Sequence, residues 1–174
     1  MNVIYIAIVV VAGYLLGSLS ISILLSKNLL GRDVRRHGSG NAGATNMARV
    51  FGMHAGLLTL AGDMLKAAAA MLLGFWLLGD TGMALGGVAC LLGHCFPALH
   101  GFKGGKGVSS GAMVALMIDW RVFLCVVGVF LVGAFLTKKV SFGSICGALA
   151  IFISAAALGV STPRLMLAAA GMLI

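Results

Sequence analysis

The sequence predicts an all-α fold, a polytopic integral membrane helical bundle, on three observations. Hydrophobic residues fill 61% of the 174 positions while charged residues fill 9%, and the mean hydropathy of +1.13 lies outside the range of soluble domains. The apolar residues are gathered into runs, most of them near the about 20 residues that cross a bilayer. Stretches such as Met64-Leu65-Lys66-Ala67-Ala68-Ala69-Ala70-Met71 favour helix by propensity, and the strict alternation of a lipid-facing β-barrel is absent.

In chain order the apolar runs are Val3 to Leu25, Leu57 to Leu78, Met83 to Leu99, a short Val108 to Ile118, Val122 to Thr137, and Phe142 to Val160. No basic residue precedes the first run and it continues to Leu25, so it reads as a crossing and not as a cleaved leader. Ser161-Thr162-Pro163-Arg164 reads as a turn. The apolar stretch after it, Leu165 to Ile174, would rise only about 15 Å as a helix. The expectation is a seven-helix bundle with the last helix incomplete in this chain, and residues 1–174 forming a single transmembrane domain.

Charge sets the orientation. Lys27, Arg32, Arg35, Arg36 and Arg49 lie in the first loop, Lys103 and Lys106 in the third, Lys138 and Lys139 in the fifth, against Arg121 and Arg164 in the alternate loops. The positive-inside rule then puts the N-terminus outside and the odd loops in the cytoplasm. The net charge of +8 is concentrated there, where it suits an anionic substrate and requires no nucleic-acid partner.

Two of these loops are built from anion donors. The first carries Arg35-Arg36-His37-Gly38-Ser39-Gly40-Asn41-Ala42-Gly43-Ala44-Thr45-Asn46, the second Gly101-Phe102-Lys103-Gly104-Gly105-Lys106-Gly107-Val108-Ser109-Ser110. Glycine lets successive N–H groups converge, and Ser, Asn, Thr, Lys and Arg add donors and charge. Gly38 to Gly43 matches the dinucleotide-binding pattern in letters but lacks the preceding strand and the βαβ unit. The second loop lacks the spacing of a nucleotide-hydrolase P-loop, yet a helix opening at Val108 would still point its N-terminal dipole at a phosphate.

Other polar residues stand out against the apolar background. Ser141 and Ser144 share a helix face at the start of the sixth crossing, with Ser141 expected to cap that helix. Asp63 and Lys66, three apart inside the second crossing, read as a neutralising pair supporting the first loop. His94 lies at the inner end of the third crossing, where a lone His is more commonly packed than basic.

Gly38-Ser39-Gly40-Asn41, then Gly43-Ala44-Thr45-Asn46 with Arg49, Gly93-His94 with Pro97, Phe102-Lys103-Gly104-Gly105-Lys106-Gly107, and Val140-Ser141 with Ser144 together resemble the bacterial acyl-phosphate glycerol-3-phosphate acyltransferases (PlsY) in order, spacing and loop side. The resemblance spans roughly Gly13 to Ala150. It implies a seven-helix inner-membrane enzyme that moves a fatty acyl group from acyl phosphate to glycerol 3-phosphate, giving lysophosphatidic acid and inorganic phosphate. It also implies catalytic roles for Ser39, Arg49, Lys106 and Ser144. Substrate contacts are expected from Gly38, Gly40, Asn41, Gly43, Thr45, Asn46, His94, Lys103, Gly104, Gly105, Gly107 and Ser141. Lys106 and Arg49 would neutralise phosphates, and the loop amides with Ser39 would face the developing oxyanion. The family continues into a cytoplasmic tail bearing a His and an Asn on a basic helix, and no such residues follow Arg164 here.

Acyl phosphate, glycerol 3-phosphate and membrane lipid are the expected partners. No cofactor or metal is expected, because Asp33, Asp63, Asp80 and Asp119 are scattered and Cys90, Cys95, Cys125 and Cys146 lack ligand spacing. The oligomeric state is left open. Thioester-dependent glycerolipid acyltransferases need an Asp five positions after a His, where this chain has Ala42, Thr59, Leu99 and Gly105. The competing class is a transporter of phosphorylated metabolites, which should show matched polar sites in two repeat halves; none is found.

Overall fold

A computed structural model describes residues 2–29 and 31–174, which are helical with short connections and contain no strand. Helix α1, Val3–Ser18, starts with the Asn2 side chain accepting the Ile4 N–H at 3.0 Å. A short α2, Ile21–Leu24, follows and runs into a π turn, Leu25–Leu29. Leu19 and Ser20 between them are extended, so the crossing read as unbroken from Val3 to Leu25 is interrupted. Lys66 accounts for the break: its ammonium donates to the Gly17 and Leu19 carbonyls, each at 2.9 Å, satisfying oxygens the broken helix leaves open.

Helix α3, Ala44–Phe51, is short and two-faced, with Asn46 and Met47 buried and Thr45 and Arg49 exposed. It rests on Gly56 of α4, Met53–Cys95. Helix α4 reverses at Gly79, whose φ of +61° suits glycine. Gly74 then abuts the Gly82 carbonyl and Gly86 abuts the Ala70 carbonyl, so limbs 53–78 and 80–95 form an antiparallel hairpin. These limbs are the second and third crossings expected from the sequence. Helix α1 lies against the second limb, with Gly17 facing Cys90 and Gly93 facing the Tyr14 carbonyl. Small residues permit that approach where lipid offers no hydrophobic drive.

Helices α5 (Val108–Ile118), α6 (Trp120–Thr137), α7 (Val140–Ala157) and α8 (Thr162–Leu173) follow; among the described residues this makes seven longer helical segments when the two limbs of α4 are counted separately and the short α2 and α3 are set aside. The supposed turn at Ser161–Arg164 is the opening of α8, because Thr162 and Pro163 take first-turn positions where proline sacrifices no hydrogen bond. Met71, Val114, Ile118, Val122 and Leu167 are among the most deeply buried side chains of the core. Among the described residues four stretches are long and apolar enough to cross a membrane, and one of them, Met53–His100, contains both limbs of the hairpin. The molecule is a multi-pass membrane protein.

Its two ends differ in chemistry. At one end Arg164 donates to Asp80 at 3.0 and 3.2 Å and to the Ile118 carbonyl at 3.0 Å, while Ser161 donates to Asp80 at 2.7 Å. This clamp joins the tip of the hairpin to α5 and α8. Both glycine-rich loops gather at the opposite end.

Candidate functional site

The first loop is closed by Asn46, which is 1% exposed. Its Oδ1 accepts the Ser39 N–H at 2.9 Å, and its Nδ2 donates to the carbonyls of Val34, His37 and Asn41 at 3.2, 3.0 and 3.1 Å. Three carbonyls share two amide hydrogens, so this side chain is committed to the loop and not to a substrate. Gly38, at φ +60°, turns directly over Asn46, and a Cβ there would run into Oδ1.

The second loop folds back onto the end of α4. The N–H groups of Gly104 and Gly105 donate to the Cys95 and His94 carbonyls, both at 3.2 Å, satisfying carbonyls that a helix terminus exposes. Gly40 likewise donates to the His37 carbonyl at 3.0 Å. The amides of Ser39, Gly40, Gly104 and Gly105 are therefore engaged within the protein and not turned to a ligand. Unused donors include those at the helix starts: among the described residues, the N–H groups of Ala44 and Thr45 in α3 and of Val108 and Ser109 in α5 have no protein acceptor. Helix α5 does begin at Val108, as expected, and such N-termini suit anions.

Arg35 ties the loops together. Its Nη1 donates to the His100 and Lys103 carbonyls at 2.9 and 3.3 Å, while Nε and Nη2 meet the Asp33 carboxylate at 3.1 and 2.9 Å. The Arg35 guanidinium holds the Asp33 carboxyl well below the usual carboxylate range, with the Arg35 N–H and Lys27 contributing. A second point of contact lies at Gly105, where a Cβ would stand 2.9 Å from the Ala42 carbonyl oxygen.

The joined loops stand at the mouth of a cavity of about 930 Å³. Asn41, Gly43 and Thr45 line it from the first loop and α3, Gly105, Lys106 and Gly107 from the second loop, His94 from α4, and Ser141 and Ser144 from α7. Deeper walls come from apolar residues including Phe123, Val126, Phe130, Ile151 and Met172. The Lys106 ammonium donates to Ser141 Oγ at 3.2 Å. Ser144 spends its hydroxyl hydrogen on the Val140 carbonyl at 2.9 Å. Ser141 is not the cap of α7, because the helix starts one residue earlier and Lys139 holds the cap position.

Gly38, Ser39, Gly40, Asn46, Arg49, Lys103 and Gly104 do not line this cavity. Ser39, Arg49 and Lys103 are exposed at the same end of the molecule. Ser109, absent from the expected set, lines the mouth and is 7% exposed. Its position just inside the glycine-rich segment, at the opening of a helix, was the available signal.

Behind the mouth lies a buried charge cluster. Lys66 Nζ is 3.0 Å from Asp63 Oδ1, and His94 Nδ1 is 3.5 Å from the same oxygen. The Asp63–Lys66 pair expected from the sequence exists, but it braces the break after α1 and, by contact without a hydrogen bond, the His94 ring, not the first loop.

A basic, polar mouth at one end of a membrane-spanning bundle, opening into an apolar cavity, defines a multi-pass membrane protein suited to ligands with an anionic head and a lipid tail. The glycerol-3-phosphate acyltransferase family model matches residues 7–174. Glycerol-3-phosphate acyltransferases of Finegoldia magna and Bacillus subtilis are 39% and 42% identical to this chain. Those matches cover 88% and 80% of this chain, and 77% and 72% of the relatives. The crystal structure of PlsY, an integral membrane glycerol 3-phosphate acyltransferase, in its glycerol 3-phosphate form superposes with a TM-score of 0.89 at 34% identity, over 97% of this chain and 86% of that one. Its lysophosphatidic acid form gives a TM-score of 0.85 at the same identity, over 97% and 85%. This chain belongs to the glycerol-3-phosphate acyltransferase family.

Proposed function

We propose that this protein transfers a fatty acyl group from acyl phosphate to the 1-hydroxyl of glycerol 3-phosphate, giving lysophosphatidic acid and inorganic phosphate. The observation that carries the reading is the meeting of two glycine-rich, cationic loops at the mouth of one apolar cavity. Donor and acceptor each bring a phosphate, and only the donor brings an alkyl chain. An acyl phosphate is already activated, so positioning and charge stabilisation suffice and direct transfer is favoured over a covalent serine intermediate.

In this reading Lys106 and the N-terminal amides of α3 and α5 hold phosphoryl oxygens, and Ser141 and Ser144 line the path of the acyl carbonyl. Arg49 and Ser39, exposed beside the mouth, receive the incoming acceptor. The glycerol 3-phosphate and lysophosphatidic acid forms of the related PlsY structure carry the acceptor and the product of this reaction. The distribution of cations supports a multi-pass arrangement in a bacterial cytoplasmic membrane with the mouth facing the cytoplasm. A carrier would need polar groups around the midplane, whereas here they crowd one end of the cavity. Purified protein in detergent, given acyl phosphate and glycerol 3-phosphate, should release inorganic phosphate in amounts that depend on both. Release independent of glycerol 3-phosphate, or none at all, defeats the proposal.

A further inference from the structure

The buried cluster of Asp63, Lys66 and His94 takes no part in the proposed chemistry, yet keeping three ionisable side chains inside a membrane bundle is costly unless they do something there. They are 1%, 6% and 4% exposed. Two facts show where they act. Lys66 bridges Asp63 and the carbonyls of Gly17 and Leu19, so the pair is neutral overall and fixed to the backbone of the first crossing. The His94 ring has Nδ1 toward Asp63, while its Nε2 edge lies so close to Gly105 that a Cβ there would collide with it. Gly105 is also the residue at which the second loop touches Ala42 of the first.

We infer that His94 is a positioning residue: braced by the Asp63–Lys66 pair, its ring seats Gly105 against the first loop and so fixes the separation of the two substrates. The inference rests on the acyl-transfer reading above. In that reaction the acceptor hydroxyl oxygen bonds to the acyl carbon, the bond from that carbon to the phosphate oxygen breaks, and phosphate leaves with the electron pair and takes up the hydroxyl proton. Water can attack the same carbon and give the fatty acid plus phosphate. Holding the loops in register favours the acceptor over water, because small displacements of reacting groups cost large factors in rate.

The measurable consequence is a partition ratio, lysophosphatidic acid formed per phosphate released with both substrates saturating. The ratio counts only working molecules, so a loss of folded protein leaves it unchanged. His94→Asn keeps a polar atom near Asp63 but falls short of Gly105, and should lower the ratio at least about threefold. Asp63→Asn with Lys66→Met removes the brace without leaving an unpaired charge and should lower it in the same direction. His94→Gln extends an amide to the position of Nε2 and should recover most of the ratio. If the first two proteins turn over more slowly at the parental ratio, or if His94→Gln falls as far as His94→Asn, the inference is overturned. A parent protein that makes no lysophosphatidic acid from these substrates refutes instead the acyl-transfer reading.

Discussion

Lys106 reaches the mouth on an exposed stem, and its one hydrogen bond among the described residues is to Ser141. Lys106→Ala should therefore abolish turnover while shifting the melting temperature by no more than about a degree or two, because exposed side chains contribute little to stability. A folded and fully active variant would show that the anion site lies elsewhere. Asp33 makes the opposite case, a charge spent on structure. Its folded-state pKa is depressed by Arg35, so the stabilisation is complete above the unfolded carboxyl value of about 3.9 and is lost as pH falls through the lower folded value. The melting-temperature gap between parent and Asp33→Asn should stay constant from pH 8 to about pH 5 and close only below about pH 4. A gap that changes between pH 6 and 8 would assign the tie to another group. The meeting of Gly105, Gly107, Lys106, Ser141 and Ser144 at one mouth was legible because glycines and cations clustered in loops stand out against a greasy chain. The commitment of Asn46 and of four loop amides to the protein itself was not legible, since it depends on how the backbone folds back onto helix ends.

At the scale of elements, the hairpin of α4 depends on glycines that face backbone. A Cβ on Gly86 would meet the Ala70 carbonyl, whereas one on Gly128 of α6 would meet nothing within 4 Å. Gly86→Val should cost several degrees of melting temperature or the folded protein altogether, while Gly128→Ala should be neutral or stabilising by about 0.5–1 kcal/mol. Equal behaviour of the two would contradict the packing described here. Hydropathy placed both limbs well, because Gly79 and its neighbours interrupt the apolar run where the chain reverses. It did not reveal the break after α1. That break depends on Lys66, 47 residues after Leu19, and no local pattern carries such a partner.

Across the whole molecule, polar groups stand at one end with an apolar cavity beneath them, and in the proposed reaction this separates the work of the phosphate from that of the alkyl chain. Charge counting in the loops brought the basic segments to one end, and the structure joins them there. The cavity was not legible, because it forms where α4 packs with α5, α6, α7 and α8 across distances in sequence. If the acyl tail occupies it, tail length should govern binding and leave the chemistry at the mouth nearly untouched. Each buried methylene contributes about 0.8 kcal/mol, so a donor shorter by two carbons should show an apparent KM raised about fifteenfold with kcat changed less than about threefold. Ala148 lines the cavity, and Ala148→Leu should raise KM for long donors more than for short ones by filling space that only the longer tails use. Steady-state rates across a series of acyl phosphates test both. A KM indifferent to tail length, or an Ala148→Leu penalty equal for all donors, would place the tail outside this cavity.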